Sequence, residues 1–440
     1  MPLLALSRAA PQDRMGVDDT VDTRIREAID RVLARQGSSG EFGLWSVGGQ
    51  NDVWLNAYVT DFLTRARERG FAVPPTAFTS ALDSLRNAVA NASEVRDGGM
   101  DIAYAAYVLA RNGRPVMGDL RYLADTRLDA FATPLGRGQI AAALALLGDR
   151  GRAAKAFASA VSILRSPSPA DRADYGSRLR DGAGLLTLAA ETGLARDAVQ
   201  PLATLIAEER GDGRTTSTQE NAWMVMAAQG LAKDAETLRF TLDGKPESGA
   251  LSRLYRGDAL ASRPVALTNA GAATAQVVVS VVGNPIAPEP AESRGYAIER
   301  TYHRLDGSPV DLAQGLHQND RLVVVLKVTE AKASPGRLLL VDRLPAGLEI
   351  DNPKLLDADA LAGLSFAKSD VAPVYTAFRD DRFVAAYERT AEQSAFFRVA
   401  YTVRAVSPGT YTHPAATIED MYRPERFGRT GFGSLVVSAQ

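Results

Sequence analysis

Few residues in this sequence have the types and spacing that covalent chemistry needs. The three histidines, His303, His317 and His413, all lie in the C-terminal part, and none is flanked by a nucleophile motif. There is no cysteine, which removes disulfides, cysteine-ligated zinc, iron–sulfur clusters and thiol catalysis together. The N-terminal part has neither histidine nor cysteine, so no zinc site of the usual donors can form there. Carboxylates remain. A glycosidase needs only two of them beside a cleft, and Asp52, Asp61, Asp101 and Glu220 stand near expected helix ends. In a chain with 52 acidic residues, four in such places mean little by themselves, because acids commonly cap helices or face water. Asp380 and Asp381, in FRDDRF, could hold a cation, but a tight turn before the strand from Phe383 explains them more simply. No cofactor and no metal are expected.

Two textures of sequence would have to position such residues. The chain has 440 residues, 46% hydrophobic and 23% charged, with net charge −2, which suits two or three ordinary globular domains. That charge gives no reason to expect nucleic acid or an acidic membrane as partner. The start, MPLLALSRAA, lacks a basic flank and is too short for a signal peptide, and no stretch reaches transmembrane length. As written, the chain is expected to stay in the cytoplasm unless it is part of something longer.

From Val17 to about Gly230 the apolar residues recur at helical spacing, as in Val21, Ile25 and Ile29, or Phe157, Val161 and Leu164. Five segments end alike, at Gly70, Gly113, Gly148, Gly193 and Gly230, a period of about 40 residues that reads as a repeated helical hairpin. Partner helices are expected near 76–90 and 117–128, and small residues such as Ala103, Ala106 and Ala141–Ala143 allow close approach. A closed α/α toroid or an open solenoid would fit, and the few, imperfect repeats favour closure. The chain is organised around Gly40–Gly70, where a Gly-rich loop with Phe42 and Trp45 leads into a helix. Trp54, Leu55, Tyr58, Phe62 and Ala66 form its expected inner face, and Arg65, Arg67 and Arg69 its basic last turn. The two tryptophans suggest a loop folded back on a helix end. After about Leu231 short apolar or alternating runs, punctuated by Gly, Pro, Asn and Asp, read as antiparallel β-sandwich. The Pro-rich segment 285–295 reads as a linker, and the run AQVVVSVVGNP before it as a strand.

Four segments carry a resemblance: GLWSVGGQNDVWLNAYVTDFL, SRLRDGAGLLTLAAETG, STQENAWMVMAA, and the C-terminal LPAGLEIDNP, FRDDRFVAAYERT and AVSPGTYTHPAATIEDMYRPERFGRTG. In this order they resemble bacterial alpha-2-macroglobulins over essentially the whole chain. The resemblance implies a thioester-domain-like α/α toroid at 1–236, a partial CUB-like β segment and linker at 237–292, and a C-terminal macroglobulin-like β-sandwich at 293–440. It implies a periplasmic, usually lipid-anchored, non-enzymatic protease trap: a protease cuts a bait region, and a Cys–Gln thioester then acylates a protease lysine. It implies proteases as partners, and a peptidoglycan-synthesis partner. The thioester motif of the family, Cys-Leu-Glu-Gln, is not in this sequence, so the chain is expected to be a fragment or truncated product unable to trap covalently alone. The resemblance also assigns Tyr422, with Met421 and Phe427, to a long loop from Glu419 to Thr430 that latches over the thioester position; Trp45, Trp54 and Tyr58 belong to its structural motif. Two other readings stand beside it: a polysaccharide-processing enzyme on an α/α toroid using a carboxylate pair, and a non-covalent binding module.

Overall fold

The architecture is that of a computed structural model. It describes residues 20–48, 52–92, 99–114, 117–166, 176–211, 215–235, 238–249, 264–272, 285–351 and 371–439, with isolated positions between them. The contacts sort into two compact units, one of Met1–Asp212 with Gln219–Val279, the other of Gly213–Thr218 with Ser280–Gln440.

The first unit is built on helices α1 (Val21–Leu33), α2 (Val53–Glu68), α3 (Pro75–Ala90), α4 (Met100–Arg111), α5 (Met117–Thr126), α6 (Pro134–Leu146), α7 (Arg150–Leu164), α8 (Arg178–Thr192), α9 (Val199–Arg210) and α10 (Thr218–Ala235). Two burial patterns alternate. In α4, α6 and α8 every residue from Ile102 to Ala110, Leu135 to Ala145 and Leu179 to Ala189 is buried, so these helices are enclosed on all sides. In α3 and α7 only one stripe is buried, Phe78, Ala81, Leu82, Leu85 and Val89 in the first and Ala153, Ala156, Phe157, Ala160 and Leu164 in the second. An inner layer wrapped by an outer one follows, the α/α toroid of hairpins.

Glycine sets the hairpin ends. Gly70, Gly113 and Gly148 have φ of +88°, +65° and +86°. At each, the glycine and the next residue donate back to the last turn, as in Gly113 N to Ala110 O at 3.1 Å and Arg114 N to Leu109 O at 2.9 Å. Gly193 takes the left-handed position after α8. Gly230 departs from the expectation: α10 runs through it to Ala235. A Cβ there would lie 2.7 Å from the Cβ of Ala190 on α8, so this glycine serves a close helix crossing and not a helix end.

A small antiparallel sheet of order β2-β1-β3 follows, from β1 (Arg239–Leu242), β2 (Lys245–Ser248) and β3 (Leu267–Asn269). Asp243 and Gly244, both at positive φ, make its two-residue hairpin turn. The expected strand in AQVVVSVVGNP falls partly outside the described residues. Where described, at Val277, Val279 and Val281, it carries no strand and the side chains are exposed. Alternating valines suit a strand, but a strand also needs a neighbour for its backbone, and no described one is registered with them.

The second unit holds β4 (Glu292–Arg294), β5 (Ala297–His303), β6 (Pro309–Val310), β7 (Leu316–His317), β8 (Arg321–Thr329), β9 (Gly336–Arg343), β10 (Leu348–Ile350), β11 (Tyr375–Arg379), β12 (Arg382–Arg389), β13 (Phe396–Ala405), β14 (Gly409–His413), β15 (Ala416–Asp420), β16 (Arg423–Arg429) and β17 (Gly433–Ser438). They form sheets of order β10-β13-β8-β5-β6, β11-β12-β9-β15-β16-β4 and β14-β17-β7. The larger two enclose one core that includes Leu322, Val324, Leu326, Leu338, Leu340, Phe383, Tyr387 and Tyr401. Strand β9 alternates buried and half-buried residues, and its inward set ends in Asp342, a charge in a core position.

Candidate functional site

The helical unit buries charge where its inner helices end. Asp61 and Arg65 lie one turn apart on α2, and Arg65 Nε donates to Asp61 Oδ1 at 2.9 Å. Arg65 also reaches Glu191 on α8, Nη1 to Oε1 at 2.5 Å, and Arg111 on α4 donates to the other oxygen of Glu191 at 2.6 Å. Arg111 grips Glu68 with two further bonds of 2.8 and 2.7 Å. Tyr107 donates to Glu191 at 3.0 Å and Tyr104 to Asp61 at 2.8 Å. Three inner helices are thereby tied at one end. Burial by itself would pull the Arg65 charge down, but Asp61 and Glu191 outweigh it and hold the guanidinium firmly protonated. Burial pushes the Glu191 carboxyl up, yet Arg65 and Arg111 win and bring it down to about 2. The expected place of Arg65, facing the helix dipole from the last turn, is not the one it takes. It points inward, to the buried Asp61 on its own helix and to Glu191, whose side chain is 28% exposed, on α8. Arg67 lies over the Phe78 ring at 4.3 Å, and Arg69 donates to Gln229 at 2.8 Å.

Toward the other ends of the same helices the interior is aromatic. Trp54 stacks on Tyr58 with centroids 5.4 Å apart. Tyr104 meets Trp54 edge-on at 6.2 Å, Tyr58 at 6.4 Å and Trp223 of α10 at 6.4 Å. Trp223 is fully buried, while Trp54 and Tyr58 are half-buried. Of the expected inner face of α2, Phe62 and Ala66 are buried and Trp54, Leu55 and Tyr58 half-buried; the buried set also takes in Ala57, Thr60, Asp61 and Leu63. The loop before α2 does fold back, but Phe42 anchors it, buried and donating its N–H to Asn56 Oδ1 at 2.6 Å; Trp45 stays half-buried.

The four candidate acids are each engaged locally. Asp52 caps α2 by accepting from Leu55 N at 3.0 Å, Asp101 accepts from Ile102 N at 2.8 Å, and Glu220 accepts from Ser177 Oγ at 2.5 Å. Asp61 serves Arg65 and Tyr104. Asp380 and Asp381 make the turn between β11 and β12. Among the described residues no group of three or more His, Cys, Asp or Glu is placed to hold a metal.

In the second unit Asp342 on β9 bonds Arg300 on β5 at 2.5 Å and Tyr401 on β13 at 2.7 Å, which joins the two large sheets. Burial, stronger here than Arg300 and the Tyr401 hydroxyl, holds the Asp342 carboxyl above its usual range. His413 on β14 bonds the Tyr302 hydroxyl at 2.7 Å; burial, aided by the Arg300 charge, lowers its pKa to about 4. His303 bonds Thr301 and Gly307, and the backbone of His317 donates to Asp320.

The loop expected from Glu419 to Thr430 is mostly strand. Met421 and Tyr422 form the turn between β15 and β16, and the bulge inserts Pro424–Arg426 where Glu419 pairs with Phe427 and Asp420 with Arg423. Asp420 causes this: its side chain accepts from Tyr422 N at 3.0 Å and Arg423 N at 3.2 Å and pairs with the Arg423 guanidinium. Both turn residues are half-buried, and Phe427 packs between Arg294 at 5.5 Å and Arg429 at 5.6 Å.

Residues 295–425, from just after β4 to the bulge after that turn, match the family described as bacterial alpha-2-macroglobulin MG10 domain. The alpha-2-macroglobulin of Escherichia coli (strain K12) is 31% identical over 95% of this chain and 26% of its own length. That of Xylella fastidiosa (strain Temecula1) is 30% identical over 91% and 26%. The chain belongs to the bacterial alpha-2-macroglobulins and corresponds to a C-terminal part of one. It spans about a quarter of the length of the curated relatives it matches. The crystal structure of native Escherichia coli alpha-2-macroglobulin from domain MG7 to the C-terminus superposes with a TM-score of 0.80 at 28% identity, covering 96% of this chain and 69% of that one. Salmonella alpha-2-macroglobulin reacted with methylamine gives 0.83 at 30%, covering 100% and 29%. No helix among the described residues is long and apolar enough to cross a membrane.

The Arg65–Glu191 tie, Tyr104, Tyr107 and Trp223 are not among the residues that the sequence singles out. One signal exists for the tie: Asp61 and Arg65 form an opposite-charge pair at i, i+4 on α2.

Proposed function

We propose that this chain supplies the thioester-type helical domain, at 1–236, and the last macroglobulin-like domain, at 293–440, of a periplasmic, non-enzymatic protease trap, with a CUB-like segment between them. Its partners are proteases and, as for the family, a peptidoglycan-synthesis enzyme. The chain contributes frame and latch, not electrophile. The observation that carries this is the match across both units to alpha-2-macroglobulins together with the absence of any cysteine within these residues. A thioester is an activated acyl group, useful only while water and amines are kept from it. The helical unit is suited to seat such a group, since its inner helices are tied at one end by Arg65, Glu191 and Arg111 and lined by aromatics toward the other. Tyr422 and Met421, on a turn braced by Asp420, are the latch residues, with Phe427 beside them.

Intact-mass measurement after incubation with methylamine tests the reading. The chain alone should gain nothing, while a full-length protein containing it should gain one methylamine per molecule. In that full-length protein Tyr422→Ala should speed the reaction by about tenfold, the equivalent of about 1.4 kcal/mol of lost shielding contact. A methylamine adduct on the chain alone, or an inert full-length protein, would overturn it.

A further inference from the structure

The pairing of β15 with β16 runs from Asp420 and Arg423 directly to Glu419 and Phe427, so Pro424–Arg426 have no partner in that register. A bulge of this kind re-aims whatever lies beyond it, here Met421 and Tyr422. Its direction is fixed only as far as other contacts hold it. Three contacts that do so end on residues 334–337, where the connection from β8 enters β9. Met421 N donates to Arg337 O at 2.9 Å. The Arg423 guanidinium, paired with Asp420, donates to Pro335 O. Arg426 Nη1 donates to Ser334 Oγ at 2.9 Å, and its guanidinium lies over the Tyr296 ring at 5.0 Å. Behind Ser334 stands Glu330, whose side chain is 1% exposed. Its Oε2 accepts from the Ser334 hydroxyl at 3.2 Å and pairs with Arg426 at 3.6 Å. Its Oε1 takes two bonds from Arg389 of β12, at 3.3 and 3.0 Å.

We propose that Arg426, seated by Ser334 and Glu330, is a positioning residue for the latch: it fixes the bulge and thereby the direction in which Tyr422 is presented. This rests on the reading of Tyr422 as a latch residue. The two oxygens of Glu330 divide the work. Oε1 binds Arg389 and joins β12 to the connection with or without Arg426. Oε2 is the one that Ser334 and Arg426 share. A sealed carboxylate attracts a nearby guanidinium strongly, because little water competes for it. Arg426, at 25% exposure, reaches it from the surface. Loss of Arg426 therefore frees the bulge while Glu330 keeps Arg389 as its counter-charge. The forked, planar guanidinium suits this place. One arm reaches the hydroxyl and the other the carboxylate, while the plane covers a tyrosine ring. A lysine ammonium is a point charge without that fork or plane, and meets only part of the set. Asp420 shapes the turn, and Arg426 aims it.

A spin label on the turn tests it. The chain has no cysteine, so Tyr422→Cys supplies a single labelling site. Well below the melting transition the nitroxide spectrum should be slow in the otherwise unaltered chain, fast in Arg426→Met and intermediate in Arg426→Lys. A label as slow in Arg426→Met as in its parent, or already fast in the parent, would overturn the proposal. Should Arg426→Met fail to fold, Ser334→Ala, which removes a hydroxyl and no charge, should loosen the label by a smaller step, and no loosening there would overturn it as well. The full-length protein with Tyr422 in place gives the functional arm. There Arg426→Met should raise the methylamine rate about threefold. It should add nothing in a double variant with Tyr422→Ala, because both changes act through one side chain. An Arg426 that only stabilises the sandwich would lower the melting temperature and leave that rate alone. An unchanged rate, or effects that add, would overturn the positioning role. A full-length protein that takes up no methylamine would defeat the trap reading and leave the label result to stand by itself, so the two fail separately.

Discussion

In the helical unit two guanidinium groups share three carboxylates at one end of the ring; in the sandwich a single guanidinium faces a single carboxylate between two sheets. The first set reaches solvent at Glu68, whose side chain is 44% exposed, while Arg300 and Asp342 are sealed at 6% and 1%. The carboxyl groups respond in opposite directions. Glu191, held by two arginines, titrates at about 2; Asp342, held by one arginine and a tyrosine hydroxyl, stays above its usual range. Burial penalises both, and the number of opposite charges in contact decides which carboxylate is comfortable. A shared cluster can therefore tie three helices firmly, whereas the sealed pair stabilises less and depends on pH.

Removing each arginine should give the largest effect. Arg65→Met leaves Asp61 and Glu191 without their common partner and should cost the helical unit about 3–5 kcal/mol in urea unfolding. Tryptophan fluorescence reads this unit alone, because Trp45, Trp54 and Trp223 all lie in it. Arg300→Met should cost the sandwich less, about 1–3 kcal/mol at neutral pH, and less still in acid, since burial holds the Asp342 carboxyl above its usual range. Equal losses, or a sandwich loss that grows in acid, would contradict the comparison.

Acid should separate the two regions by window. His413 has a folded pKa near 4, below its ordinary 6.5, so the unfolded chain takes up its proton first. Its stabilisation is whole above pH 6.5, falls between 6.5 and 4, and amounts to about 3 kcal/mol. Glu191 has a folded pKa near 2, below 4.5, so its contribution is whole above pH 4.5 and falls between 4.5 and 2. Hydrogen exchange should show the sandwich loosening first, and His413→Gln should flatten that first loss. Loosening of the helical unit ahead of the sandwich would reverse the order.

The smallest effects concern hairpin ends. Gly113→Ala, at φ +65°, should cost about 1 kcal/mol in the same fluorescence assay. Gly151→Ala, in the first turn of α7 with open space around the added carbon, should be neutral or gain about 0.5 kcal/mol. A loss at Gly151 as large as that at Gly113 would mean that chain stiffness, not left-handed geometry, governs these sites.

Much of this fold is legible in the residues alone. Helical periodicity and recurrent glycine are local signals, and so the inner hairpins and the endings at Gly70, Gly113, Gly148 and Gly193 can be read off directly. Longer strands such as β8, β9 and β13 show their apolar runs, while short ones such as β7 and β10 do not, since two or three residues make no period. The Asp243–Gly244 turn is a further local signal, the dipeptide of a tight hairpin. Gly230 misleads because a glycine that ends a helix and a glycine that admits a neighbouring helix look the same in sequence.

By itself, then, the sequence determined the order of a helical half and a strand half, the hairpin period, and, through the missing cysteine, the absence of thiol chemistry within these residues. Only the tertiary structure decided where the charges went. Arg65 stands 126 positions from Glu191, and Arg300 stands 42 from Asp342. No local period encodes such pairs; they exist because folding removes water from both partners and leaves each the other's best remaining solvent. The tie from Arg426 to Ser334, 92 positions away, and to Glu330 is a tertiary fact of the same kind, since the three side chains meet only once their strands are in place.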